Sequence, residues 1–78
     1  MPESTQERCY RVIAGEFEVD AQSLSDDTDM ALAWGMDDLD VVQLTHALES
    51  EFGLPLDEYE IEAATTIGDV VRLIDTKL

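Results

Sequence analysis

Apolar residues recur along this chain at helical spacing and almost never alternate. Cys9, Val12, Ile13 and Phe17 form one stripe. Ser4-Thr5-Gln6-Glu7 stands before it with the S-x-x-E spacing of a capping box, in which each side chain satisfies an orphan amide of the first turn. From Val19 to Met36 no period holds, and Asp, Ser, Thr and Gly accumulate. This segment reads as a long ordered loop, or a loop with a short turn, a feature that in compact domains usually carries function. A second long helix is predicted from Asp37 or Asp38, with acids on its positive end, to Phe52. Gly53 then offers a left-handed stop, and Pro55 confirms it. The inner face of this helix is read as Leu39, Val42, Leu44, Ala47, Leu48 and Phe52, with Asp40, Gln43, Glu49 and Ser50 outward. A short helical piece is expected around Asp57 to Glu62. Thr66-Ile67-Gly68-Asp69 reads as another capped start, with Asp in place of Glu, leading into Val70, Val71, Ile74 and Leu78. The pattern predicts an all-α bundle of three principal helices and one short one, in a single domain spanning 1–78.

Composition narrows the function classes. Seventy-eight residues make one small domain, and the 45% of hydrophobic residues is enough for a core that must be mainly aliphatic. Charge is the outlier, with 19 acidic residues against 4 basic ones and a formal net of -15. Such a balance argues against nucleic acid, whose phosphates are bound through clustered Lys and Arg. It favours encounter with basic protein surfaces instead, weakened by salt. No apolar run approaches the roughly 20 residues a bilayer needs, so no membrane insertion is expected. The N-terminus from Met1 to Glu7 is polar and acidic, unlike a signal peptide, and Cys9 has no partner for an intrachain disulfide. These features point to a cytoplasmic protein, expected to be a monomer.

Candidate chemistry is sparse. Asp27 and Asp29 have the first two spacings of an EF-hand loop, but its sixth position falls on Leu32 and its twelfth on Asp38, so no metal site is assigned. His46 is the only histidine and is read as solvated and partner-facing. Cys9 is read as a small buried hydrophobe, and Trp34 as an anchor packing the loop onto the bundle. No nucleophile–base pair or glycine-rich phosphate loop is present, so the chain is not expected to be an enzyme.

The segment Gly35-Met36-Asp37-Asp38-Leu39-Asp40 resembles the loop-to-helix junction of acyl carrier proteins, which reads Gly-x-Asp-Ser-Leu-(Asp/Glu). The resemblance extends to Ala47-Leu48-Glu49-Ser50-Glu51-Phe52-Gly53 and to the threonine-led Thr65-Thr66-Ile67-Gly68-Asp69-Val70. It implies a four-helix carrier fold with a long loop after the first helix. It implies a role in fatty acid, polyketide or related biosynthesis. By resemblance, Asp37, Asp38 and Leu39 form the cofactor-binding junction, with Asp38 at the position of the serine that holds 4'-phosphopantetheine. The expected partners are basic surfaces of synthases, acyltransferases and phosphopantetheinyl transferase, met by Asp37, Asp40, Gln43, His46 and Glu49. Ala33-Trp34, Gln43 and His46 depart from the usual family residues, which leaves partner identity open.

Position 38 separates this chain from the pattern. A serine hydroxyl attacking the β-phosphorus of coenzyme A leaves a stable phosphodiester. A carboxylate attacking the same atom would leave an acyl phosphate, which hydrolyses readily, so no arm is attachable at Asp38. Two origins fit: a designed replacement of serine in a working carrier, or a natural carrier-like module that binds partners without cargo.

Overall fold

The computed structural model describes residues 3–78; Met1 and Pro2 of the polar N-terminal run lie outside them. Helix α1 spans Thr5–Phe17, and its capping box is formed: Glu7 N–H donates to Ser4 Oγ at 3.1 Å and Ser4 N–H to Glu7 Oε1 at 3.3 Å. The long connection holds a 3-10 turn, Ala21–Ser23, and a short helix α2, Met30–Trp34. Helix α3 spans Asp38–Phe52, α4 Glu58–Ala63 and α5 Ile67–Lys77. The bundle thus has five helices among the described residues, and α2 is the addition to the predicted set. One turn is too short to show a period. Its signals are local: Asp29 accepts from Leu32 N–H at the start, and Gly35, at φ 61°, ends it.

The predicted boundaries otherwise hold. Asp57 caps α4 and Thr66 caps α5, each with a reciprocal capping box. Gly53 takes φ 64° at the end of α3, where its N–H closes on Glu49 O at 2.8 Å. Glu18 adopts the same left-handed geometry after α1, at φ 56°, without glycine's freedom.

The core is aliphatic. Cys9 and Ile13 of α1, Leu44 and Leu48 of α3, and Val70 and Ile74 of α5 are buried in one cluster, which also takes in Met30 of α2 and Ile61 of α4. The inner face of α3 differs from the predicted one. Val41, Leu44, Thr45 and Leu48 are buried, Val42, Ala47 and Phe52 are half-buried, and Leu39 is 62% exposed. Apolar residues wrap much of this helix, so period alone cannot choose its face; Leu39 lies about 200° of helical rotation from Val41. Thr45 is tolerated inside because its hydroxyl donates to Val41 O at 2.7 Å. Leu78 likewise leaves its predicted stripe, lying beyond α5 and mostly exposed.

The loop is not loose. It runs antiparallel to the lead-in of α5: Met30 N–H donates to Thr65 O, Ile67 N–H to Thr28 O at 3.1 Å and Gly68 N–H to Asp26 O at 2.9 Å. Two orphan amides of the first turn of α5 are therefore satisfied by loop carbonyls. Trp34 stacks on Phe17 with ring centroids 4.7 Å apart, the anchoring role expected of it. At the far end, Arg8 donates to the Glu51 carboxylate and backbone carbonyl and lies 4.3 Å over the Phe52 ring. Arg11 shares the same carboxylate, and the two guanidiniums, Arg11 foremost, hold Glu51 below the usual carboxylate range.

Candidate functional site

The junction at the start of α3 is built by a local device. Asp37 is the N-cap: Asp40 N–H donates to its Oδ1 at 3.0 Å, while Asp37 N–H donates to Asp40 Oδ2 at 3.2 Å. Both carboxylates also favour the positive end of the helix. Asp38 is the first helical residue and not the cap. Its exposed carboxylate is left free by this arrangement, beside an exposed Leu39. Leu39 thus belongs to the surface of the junction, which the apolar pattern misread as core.

The partner-facing set expected along α3 is split by the structure. Asp37, Gln43 and His46 are exposed. Asp40 and Glu49 are half-buried and already occupied, Asp40 in the capping box and Glu49 as acceptor for Leu56 N–H at 3.3 Å. Glu49 thereby fixes the turn between α3 and α4. A single carboxylate in a helical register gave no signal for this, because its partner lies in the following loop.

Helix α4 carries residues that sequence reasoning passed over. It faces α3 across an open groove of about 520 Å³ that starts at Asp38. Val41 and Val42 line it on one side, and Tyr59, Glu58 and Glu62 on the other. The adjacent Asp57 is committed to its cap, accepting from Tyr59 N–H at 2.8 Å.

The field around this face is uniformly negative. All four basic residues are engaged elsewhere: Arg8 and Arg11 with Glu51 and Glu3, Arg72 with Asp69, and Lys77 with Glu60. Helix α3 itself contains no Lys or Arg. Two acids of the loop are also spoken for: Asp26 by Tyr10 and Gln6, and Asp29 by α2. Among the described residues no cluster of His, Cys, Asp or Glu is arranged to hold a metal ion, and no helix is long and apolar enough to cross a membrane. Cys9 is buried, and that burial pushes its thiol up to about 12.

Known proteins resemble this chain over most of its length. The family described as "Phosphopantetheine attachment site" matches residues 10–74. An acyl carrier protein of Helicobacter pylori (strain G27) is 40% identical over 68 residues, covering 86% of this chain and 87% of that protein. One of Thermotoga maritima is 34% identical over 67 residues, covering 86% and 83%. One of Saccharopolyspora erythraea is also 34% identical over 67 residues, covering 86% and 70%. Such relatives are carriers and not catalysts, and the chain is no enzyme. With its helical bundle, its capped junction and these relatives, the chain belongs to the acyl carrier protein family.

Proposed function

We infer that this protein serves acyl biosynthesis, of fatty acids, polyketides or related products, by presenting the acidic flank of α3 to basic surfaces of carrier-dependent enzymes. Synthases, acyltransferases and phosphopantetheinyl transferase are the partner classes. The reading is carried by one observation: a free Asp38 carboxylate and an exposed Leu39 stand together at the mouth of a helix whose flank lacks any cation. Gln43 and His46 extend that flank. Electrostatic steering of a basic partner is its physical basis.

The family's group, 4'-phosphopantetheine, does not fit position 38. The side chain there offers a carboxylate, and the mixed anhydride it would form with phosphorus is labile to water. Other hydroxyls do not substitute: Thr45 is buried and bonded to Val41 O, and Ser50 lies about 18 Å along the α3 axis from Asp38. As it stands, the protein docks without a covalent arm. A second reading, a natural non-carrying regulatory module, is favoured by the same residue and uses the same face. The codon at position 38 in the source genome separates it from a designed serine replacement.

The test is a titration of isotope-labelled protein with a carrier-dependent enzyme, followed residue by residue by NMR. Amide shifts are expected within residues 37–50, and Asp38→Lys with Gln43→Lys should slow association and steepen with falling salt. Asp40 and Glu49 are poor choices for charge reversal, since both hold structure. The comparison is Glu16→Lys on α1, an exposed site of equal charge type. Shifts confined to α1 would overturn this assignment of the face.

A further inference from the structure

Asp38 stands in a junction whose other parts are all formed. Gly35 turns the chain at φ 61°, and Trp34, stacked on Phe17, anchors the residues before that turn. Asp37 and Asp40 exchange both hydrogen bonds of a capping box, which fixes the backbone at position 38 as the first residue of α3. The Asp38 carboxylate takes no part in this device. It is exposed, enters no ion pair among the described residues, and stands beside an exposed Leu39. The frame that presents an acceptor is therefore complete, and only the acceptor is absent.

We propose that this chain is a dead-end ligand of the transferase that loads carrier proteins: it enters the carrier site of the enzyme–coenzyme A complex, sets the Asp38 carboxylate where an acceptor hydroxyl belongs, and slows arm transfer to working carriers. Arm transfer requires a hydroxyl, whose proton goes to a base while its oxygen bonds the β-phosphorus and the bond from that phosphorus to 3',5'-ADP breaks. A carboxylate has no proton to surrender, and its mixed anhydride with phosphorus is lost to water. The docked complex can then only dissociate. Docking itself survives, because the surface that supplies it is distinct from the reacting atom. An acid at the first position of α3 also favours the positive helix end, so the frame is held at least as firmly as with serine.

The proposal rests on the reading of α3 as the docking face and adds a consequence, inhibition of carrier loading, that this reading does not contain. One force opposes it: the carboxylate faces the diphosphate of coenzyme A. A divalent cation that accompanies such phosphates accepts carboxylate oxygens as ligands and removes that repulsion.

The experiment uses the full chain as inhibitor and its own Asp38→Ser variant as carrier substrate, with coenzyme A, magnesium and a broad phosphopantetheinyl transferase. Arm transfer is followed by intact mass and by release of 3',5'-ADP. The parent should raise the apparent KM for the Ser variant about twofold when its concentration equals that KM, with kcat unchanged. Gln43→Lys in the parent should weaken inhibition about two- to fivefold, whereas Glu16→Lys on α1 should leave it as it is. Asp38→Ala gives an uncharged twin, and circular dichroism verifies that each variant is folded. Inhibition by this twin but not by the parent would mean that carboxylate–phosphate repulsion prevails, and the proposal falls. It falls also if inhibition is competitive with coenzyme A instead of the carrier, if Glu16→Lys weakens inhibition as much as Gln43→Lys, or if the parent alone releases 3',5'-ADP. A Ser variant that is loaded while the parent does not inhibit would overturn the dead-end role and leave the α3 docking face standing. A folded Ser variant that is not loaded would remove the transferase from the partners of that face, and the proposal with it.

Discussion

The Tyr10 hydroxyl donates a hydrogen bond to Asp26 Oδ1 at 2.7 Å, so the loop that follows α1 is fastened back onto the helix it leaves. Gln6 Nε2 reaches the same oxygen at 3.0 Å, and the Asp26 backbone carbonyl accepts from Gly68 N–H at 2.9 Å. One residue therefore joins α1, the loop and α5, and through them sets the path by which the chain arrives at the junction before α3. The Tyr10 bond is the chief cause of an Asp26 carboxyl held below its ordinary range. Burial, followed by Asp26 itself, pushes the Tyr10 hydroxyl up to about 12.

Tyr10→Phe should lower stability by about 0.5–1.5 kcal/mol, the usual net worth of one hydrogen bond, read from urea denaturation. Asp26 titrates below its ordinary 3.8 in the folded protein, so its contribution is full above that pH and is lost as pH falls through the folded value. The difference between parent and variant should accordingly shrink on acidification below about pH 4. A difference that persists undiminished there would show that ring packing, and not the carboxylate bond, accounts for the loss.

Two glycine-to-alanine changes should move in opposite directions. A Cβ at Gly68 would lie 3.0 Å from Asp26 O and 3.1 Å from Asp26 Cβ, so Gly68→Ala must displace the loop. A loss of about 1–3 kcal/mol is expected, as for overpacking. Gly15 lies in α1 with nothing within 4 Å of the added atom, and Gly15→Ala should gain about 0.5–1 kcal/mol. Equal signs for the two variants would refute this account of the loop contact.

Alkaline pH should unfold the protein through Cys9. Burial raises its thiol from 9.0 to about 12, so the stability tied to the neutral thiol is complete below pH 9.0 and is lost as pH rises toward about 12. Melting temperatures measured across that window should fall, and Cys9→Ala should flatten the part due to the thiol. A Cys9→Ala curve parallel to that of the parent would assign the fall to Tyr10 instead.

Incubation with coenzyme A and a broad phosphopantetheinyl transferase should leave the mass of the protein unchanged. An arm-sized gain at any residue, Tyr59 beside the groove included, would contradict the chemistry argued for position 38. Asp38→Ser should restore the gain wherever the transferase still reads the α3 surface. The substitution also removes a favourable charge from the helix N-terminus, at a cost of about 0.3–1 kcal/mol.

The sequence by itself determined where α1, α3, α4 and α5 start and stop, though not the short α2, because caps act within three or four residues. Ser4 with Glu7, Thr66 with Asp69, and Gly53 after Phe52 were each legible as such local pairs or stops, and each is formed. The carboxylate at position 38 and the excess of acid were equally plain, since both are read directly from residue identities. Tertiary structure alone decided which side of α3 faces inward. Apolar residues lie nearly all round that helix, and its packing against α1 and α4 selects Val41 and Thr45 over Leu39. It also decided which acids are free. Asp40 and Glu49 read as surface charge until their backbone partners, Asp37 N–H and Leu56 N–H, come into reach. The groove lay beyond sequence for the same reason: its walls come from two helices, brought together by tertiary packing in which Ile61 of α4 is fully buried, and no local pattern encodes that.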